Sequence, residues 1–156
     1  MLIETRFGKS ETHEEKIINF PAGLPGFEEL HRYIIIEASN TRPIYWLQSV
    51  ENKDIALPVI ISFAILNDYN INIRENELDD LCVENKNDLL VLNVVVIPDD
   101  ITQMTVNLAA PVVINAKRGI GKQIIIDASE LPLRYPVYEA IRESLKGGGK
   151  DAGADA

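Results

Sequence analysis

Between the strand-like runs of this chain no segment is long enough to be a crossover helix, and that restriction decides what kind of sheet it can build. Short stretches rich in Ile and Val recur along the 156 residues, separated by clusters of Pro, Gly, Asn and Asp, which is how all-β domains read. Strands are predicted over 2–7, 15–20, 32–38, 44–50, 57–64, 69–73, 89–97, 104–107, 111–115 and 121–126. Parallel neighbours need a connection of about a dozen residues or more, so antiparallel pairing through hairpins is expected. Many short strands with few helices imply a closed or nearly closed barrel, or a sandwich. Ile34-Ile35-Ile36, Val94-Val95-Val96 and Ile124-Ile125-Ile126 are apolar on both faces, so something must cover their outer side.

Two helices are predicted. Asn76 caps the first, Glu77, Asp79 and Asp80 occupy its opening turn, and Leu78, Leu81 and Cys82 line one face. The second starts at Pro136, presents Tyr138, Ile141 and Leu145, and is stopped by Gly147-Gly148-Gly149. The domain is expected over 1–146, with a flexible Gly/Ala/Asp tail over 147–156.

The net charge of −9, with no basic block, would repel a phosphate backbone, so direct nucleic-acid binding is not expected, and a basic protein partner fits better. Cys82 is the only cysteine; it excludes an internal disulfide, fits a reducing compartment and reads as a small packed residue. The first seven residues carry Glu4 and Arg6 and do not form a signal peptide. The longest apolar stretch, 55–66, contains Pro58 and Ser62 and is too short to span a membrane. A cytoplasmic location without membrane attachment is the expectation.

Catalytic and metal constellations find no support. His13 and His31 stand at no metal-ligand spacing. A Gly-x-Ser-x-Gly elbow is missing, and the acidic neighbours of Cys82 would raise its pKa rather than activate it. Gly119-Ile120-Gly121-Lys122 resembles the end of a phosphate loop, but Ala116 stands where the first glycine belongs and Gln123 follows the lysine. A non-enzymatic protein without metal or cofactor is expected.

Binding candidates are better marked. Pro111 interrupts the β-branched stretch between Thr105 and Asn115, and because proline lacks a backbone donor the strand must bend there; bends of this kind build recognition surfaces, with Asn107, Pro111, Val113 and Asn115 as candidates. The segment Pro21-Ala22-Gly23-Leu24-Pro25-Gly26-Phe27 holds two prolines and two glycines. Pro25-Gly26 suits a type II turn, and Phe27 can anchor the loop, which serves either as a connector or as a binding loop. In a strand Tyr45 and Trp46, the only tryptophan, point to opposite faces, with Gln48 beside Trp46. Glu75, Glu77, Asp79, Asp80 and Glu84 either complement a helix dipole and aid solubility or form a docking patch for a basic surface.

The stretch Thr105-Val106-Asn107-Leu108-Ala109-Ala110-Pro111-Val112-Val113-Ile114-Asn115, the loop Gly23-Leu24-Pro25-Gly26-Phe27-Glu28 and Tyr45-Trp46-Leu47-Gln48 together resemble the flagellar assembly factor FliW family, with similarity over residues 17–126. The resemblance implies a compact antiparallel β-barrel-like domain. It also implies a function: binding cytoplasmic flagellin, in particular its C-terminal helical region, and antagonising the translational repressor CsrA, so that flagellin synthesis is coupled to secretion. From the residues alone, the contending reading is a small β-barrel holding a low-molecular-weight ligand in its interior.

Overall fold

The computed structural model describes residues 1–66, 69, 71, 73–126 and 131–155, the last nine by backbone alone. In chain order its strands are β1 (Leu2–Thr5), β2 (Gly8–Glu11), β3 (Ile18–Asn19), β4 (Arg32–Glu37), β5 (Tyr45–Ser49), β6 (Ala56–Ile60), β7 (Leu89–Val96), β8 (Thr105–Val106), β9 (Val112–Asn115), β10 (Ile120–Gln123) and β11 (Tyr135–Pro136). Helices α1 (Ser62–Ile65), α2 (Glu75–Leu78) and α3 (Tyr138–Asp155) complete it, with short 3-10 turns between.

Seven strands close into a barrel in the order β3-β4-β5-β6-β7-β9-β10, returning to β3. The ladders are antiparallel, as the short connections require, except where β10 meets β3 in parallel through the single pair Ile120↔Asn19. β8 and β11 extend the sheet beyond β7, and β1 and β2 form a separate hairpin.

Alternation of side chains sorts the strands. Tyr33, Leu47, Val59, Leu92, Val112 and Ile114 point inward with Phe20 and Leu24 from the loop after β3, and they fill the barrel. Gly121 faces this core: a Cβ there would stand 2.8 Å from the Phe20 ring, so only glycine lets that ring lie on β10.

The strands that are apolar on both faces are covered by three different pieces of chain. The β1–β2 hairpin places Ile3 over Ile34 and Ile36, and is tied down by the backbone N–H of Arg6 donating to Oε1 of the buried Gln48 at 3.0 Å. Residues after β6, together with Val137 and the first turn of α3, bring Tyr69, Val137 and Ile141 against Ile60, Val95 and Val106. Leu78 and Leu81 cap Val113 and Ile124.

Several expected elements shift. The strand predicted over 15–20 begins as a 3-10 turn, Glu14–Lys16, and that over 57–64 gives way to α1 after Ile60. Of the strand predicted over 69–73, positions 70 and 72 lie outside the described residues, and Tyr69, Ile71 and Ile73 have no strand conformation. The first predicted helix is shorter: α2 has Arg74, not Asn76, at its cap and passes into a 3-10 turn, Asp79–Leu81. Cys82 is exposed rather than packed, because the chain reverses there with a left-handed φ of 54° and turns its side chain outward. Pro136 lies in β11, two residues before α3, with Ile141 buried and Leu145 exposed. α3 continues through Gly147, Gly148 and Gly149 to Asp155, where a stop was expected; glycine weakens a helix by about 1 kcal/mol per residue without forbidding its geometry.

Two predictions follow from this packing. The Tyr33 hydroxyl is buried and finds no hydrogen-bond partner among the described residues, and burial, followed by the nearby charge of Glu51, pushes its pKa up to about 12. The folded chain thus holds this proton more tightly than the unfolded chain, whose tyrosine titrates at about pH 10. Stability from this source is intact below about pH 10 and falls by on the order of 2–3 kcal/mol as pH rises through the folded value. Tyr33→Phe should match or exceed the wild type near neutral pH and lose less stability in alkaline urea titrations; an undiminished alkaline loss would assign it to other groups. Separately, deleting 147–156, which contain no side chain larger than alanine apart from Lys150, Asp151 and Asp155, should leave the melting temperature nearly unchanged, whereas Ile141→Ala should cost about 2–5 kcal/mol. A shift of several degrees on the deletion would show that the segment is docked.

Candidate functional site

The stretch around Pro111 is bent, as its sequence requires. β8 and β9 pair with the same flank of β7, but their registers differ by three residues: Val95 faces Val106, whereas Leu92 faces Val112. The surplus bulges out over Asn107 to Pro111. Asn107 Oδ1 accepts the backbone N–H groups of Ala109 and Ala110 at 3.0 and 3.2 Å. From behind, the buried Asn93 Nδ2 donates to Asn107 O at 2.9 Å and to the Tyr69 hydroxyl at 3.2 Å, and that hydroxyl donates to Leu108 O at 3.0 Å. Burial holds the Tyr69 pKa above its ordinary value, opposed by the Asn93 hydrogen bond.

The bend does not present its apolar residues to solvent. Pro111, Val113 and Asn115 are buried, so these three expected contact residues have no side-chain surface to offer. Asn115 is a structural pin: its Nδ2 donates to Leu81 O at 2.8 Å and Cys82 O at 3.2 Å, while its Oδ1 accepts the N–H groups of Lys117 and Arg118. It fastens the segment that carries α2 to the barrel wall.

What the bend does create is a groove. Asn107 and Val112 line a depression of about 350 Å³ together with Leu24, Pro25, Phe27, Leu57, Val94, Val96, Gln123, Leu133 and Arg134. It lies where β6 and β7 part: their ladder covers only Val59↔Val94 and Ile60↔Asn93, next to Pro58, which has no N–H to give. The opposite wall is the proline-glycine loop, folded as the expected type II turn, with Phe27 N–H donating to Leu24 O at 2.7 Å and Gly26 at φ 86°. Pro25 is exposed and Phe27 half-buried. Val96 and Leu133 stand 59% and 62% exposed on the rim, two large apolar side chains that the monomer leaves uncovered beside a pocket. Leu133 and Arg134 had no distinguishing signal in the sequence, since they follow β10 in an irregular segment.

The five acidic residues gather on the lid formed by α2 and the turn after it, but mostly as partners of bases on the barrel. Lys122 Nζ lies 3.1 Å from Glu77 and 3.3 Å from Asp80. Arg118 pairs with Glu84 at 3.0 Å, and Lys117 stands 3.9 Å from the same carboxylate. Burial alone would lower the Lys122 pKa; the hydrogen bonds and charges of Glu77 and Asp80 more than reverse this, so the ammonium stays charged throughout the neutral range. Glu75 and Asp79 are exposed and line a shallow depression with Cys82 and Val83. Among the described residues no group of three or more His, Cys, Asp or Glu is placed to hold a metal, and no helix is long and apolar enough to cross a membrane.

A small, closed β-barrel that offers solvent an apolar groove at an opening of the barrel and a salt-bridged acidic lid on its outer wall is thereby defined. The family model for the FliW protein matches residues 1–137. Over 140 residues the chain is 40% identical to the flagellar assembly factor FliW of Caldicellulosiruptor saccharolyticus, covering 90% of this chain and 91% of that protein. It is 42% identical over 139 residues to the FliW of Caldanaerobacter subterraneus subsp. tengcongensis, covering 88% and 93%. A crystal structure of the flagellar assembly factor FliW superposes with a TM-score of 0.81 at 28% identity, covering 88% of this chain and 96% of that one. The chain belongs to the FliW family of flagellar assembly factors.

The lid generates its own prediction. Because the Asp80 side chain is 77% exposed and that of Glu84 63%, their ion pairs contribute little, less than about 1 kcal/mol each. The double reversal Asp80→Lys and Glu84→Lys should therefore leave the protein folded with a modest drop in urea midpoint, while Asn115→Ala, which strands the buried Leu81 carbonyl and the part-buried Cys82 carbonyl, should cost about 1–3 kcal/mol. If the charge reversal proved the more damaging of the two, the lid would be held by its ion pairs and not by Leu78, Leu81 and Asn115.

Proposed function

We propose that this protein binds flagellin in the cytoplasm through the C-terminal helical region of that partner, and that it antagonises CsrA, so that export of flagellin frees it to relieve repression of flagellin synthesis. The observation that carries this reading is membership of the FliW family over nearly the whole described chain. Two surface features support it. Flagellin's terminal helices carry apolar stripes that need covering before assembly, and an exposed apolar groove is suited to that. A translational repressor that binds RNA carries basic surface, toward which a chain of net charge −9 has a favourable long-range field; Glu75 and Asp79, outside the ion pairs of the lid, are the carboxylates best placed to meet it. The function needs binding alone, with no cofactor and no catalytic step.

Titration calorimetry with a peptide from the C-terminal region of the cognate flagellin, followed by circular dichroism, should show saturable binding with a gain of helix. CsrA association, followed by stopped flow, should slow as salt rises and in a Glu75→Lys, Asp79→Lys variant. Failure of the flagellin peptide to bind at high micromolar concentration would overturn the flagellin arm, and an unchanged salt slope in the variant would move the CsrA contact off the lid.

A further inference from the structure

A second opening of the barrel lies beside β3, the shortest strand of the ring. A depression of about 610 Å³ there reaches Ile18, Ile35, Leu90 and Ile114 of the interior cluster, and is bordered by β4 and by Ala116 and Gly119 of the β9–β10 turn. The ladder between β3 and β4 stops at Ile18↔Tyr33, although β4 runs on to Glu37. Hydrogen-bond alternation identifies what is left open. Val50 N–H donates to Arg32 O at 2.9 Å, and Phe20 N–H donates to His31 O at 2.7 Å. Positions 34 and 36 of β4 therefore turn their backbone groups to β5, and positions 33, 35 and 37 turn theirs to the β3 side. Tyr33 meets Ile18 there. The N–H and C=O groups of Ile35 and Glu37 meet no backbone partner among the described residues, which leaves a short free strand edge facing the depression.

The chain's own continuation of β3 is unsuited to this edge. In register it would set Lys16 opposite Ile35 and Glu14 opposite Glu37, on the face that Ile18 turns into the barrel. An ammonium would then be directed at the apolar interior, and two carboxylates would stand directly opposite each other. Residues Glu14–Lys16 instead leave the sheet as a 3-10 turn, in which Lys16 N–H donates to His13 O and Ile17 N–H to Glu14 O. Three carboxylates, Glu11, Glu15 and Glu37, line the depression against the single ammonium of Lys16. Glu11 pairs with the N-terminal ammonium and Glu37 Oε1 with Arg42 at 3.0 Å, while Glu15 belongs to no ion pair among the described residues.

We infer that this edge takes a short extended segment of a basic partner protein by strand addition. The segment runs antiparallel to β4, in line with β3. A basic side chain stands opposite Glu37, and two positions later an apolar side chain opposite Ile35 enters over Leu90 and Ile114. Main-chain bonds to Ile35 and Glu37 supply the attachment, and the two side chains supply the selectivity. The groove at Phe27 and the lid take no part.

The test uses the full chain, isotope-labelled for NMR, and the capped peptide Thr-Lys-Thr-Val-Thr. In the free protein the amide hydrogens of Ile35 and Glu37 should exchange fast, while those of Ile34 and Ile36, bonded to β5, are protected. The peptide should shift and protect Ile35 and Glu37 saturably at low millimolar concentration. N-methylation of its valine, which removes the N–H meant for Ile35 O, should weaken binding about tenfold. Replacing its lysine by glutamate should weaken binding several-fold, and Glu37→Gln, at an exposed position, should remove most of that difference while the protein stays folded. Slow exchange at Ile35 and Glu37 in the free protein would mean that the chain closes its own edge, and protection that appears on raising protein concentration alone would make a second copy the occupant; either result overturns the proposal. Equal binding of the N-methylated peptide would overturn strand addition, and equal binding of the glutamate peptide would overturn the basic occupant. No binding of the lysine peptide at low millimolar concentration would overturn the site.

Discussion

Closure of the barrel depends on one long strand pairing with two halves of a broken one. Leu89 to Leu92 of β7 take β9, Val95 and Val96 take β8, and the three-residue offset between them must go somewhere. It goes into the bulge at Asn107 to Pro111, whose backbone groups are met by the Asn107 side chain, by Asn93 and by Tyr69. Were these groups unmet, each buried donor or acceptor would cost about 1–3 kcal/mol, and the strand would straighten by slipping register. A slip of an odd number of residues would turn Val112 and Ile114 out of the barrel and Val113 into it. The asparagines are thus what allow an interrupted strand to sit in a closed ring.

Once the ring is closed, its strands are buried from within, and several carry apolar residues outward as well. The three covers (hairpin, α3 with the segment after β6, and the lid of α2) each bury one group of these. The groove lies on the inner face instead, at an opening of the barrel: Leu24, Leu57, Val94 and Val112 of its lining belong to the interior cluster. It opens where the β6–β7 ladder ends beside Pro58, and there Val96 and Leu133 remain exposed. The uncovered patch follows from the same proline and the same bulge that shape the barrel, so the interaction surface and the fold share a cause.

Much of this was legible in the sequence, and where it was not the reason is physical. Strand alternation and β-branched runs marked β4, β5, β7 and β9 closely, because those strands are long or fully buried and their periodicity is strong. Pro25-Gly26 announced its turn and Pro111 its bend through backbone restriction, a local property that needs no tertiary context. Burial of Pro111, Val113 and Asn115 was not legible, since a run that is apolar on both faces says it needs a cover without saying which piece of chain supplies it. Leu78 and Leu81 supply it here. The acidic cluster likewise read as bare charge, because its partners Lys117, Arg118 and Lys122 lie more than thirty positions away along the chain. Of the groove, Pro25, Phe27 and Asn107 were visible as turn and bend residues; Leu133 and Arg134 belong to an irregular segment, where no period distinguishes a rim from a connector.

The groove and the lid are backed by the same two strands. Val112 lines the groove and Asn115 holds the lid three residues later on β9; on β10, Gln123 lines the groove while its neighbour Lys122 pairs with Glu77 and Asp80. β9 is paired on both sides, with β7 and with β10, and its side chains are buried on both faces. Moving such a strand would break two ladders and unpack two clusters at once. The two surfaces therefore behave as fixed faces of one body. A ligand in the groove can alter what binds the lid by occupying space or by changing the charge nearby, because both surfaces are backed by the opposite faces of β9 and β10.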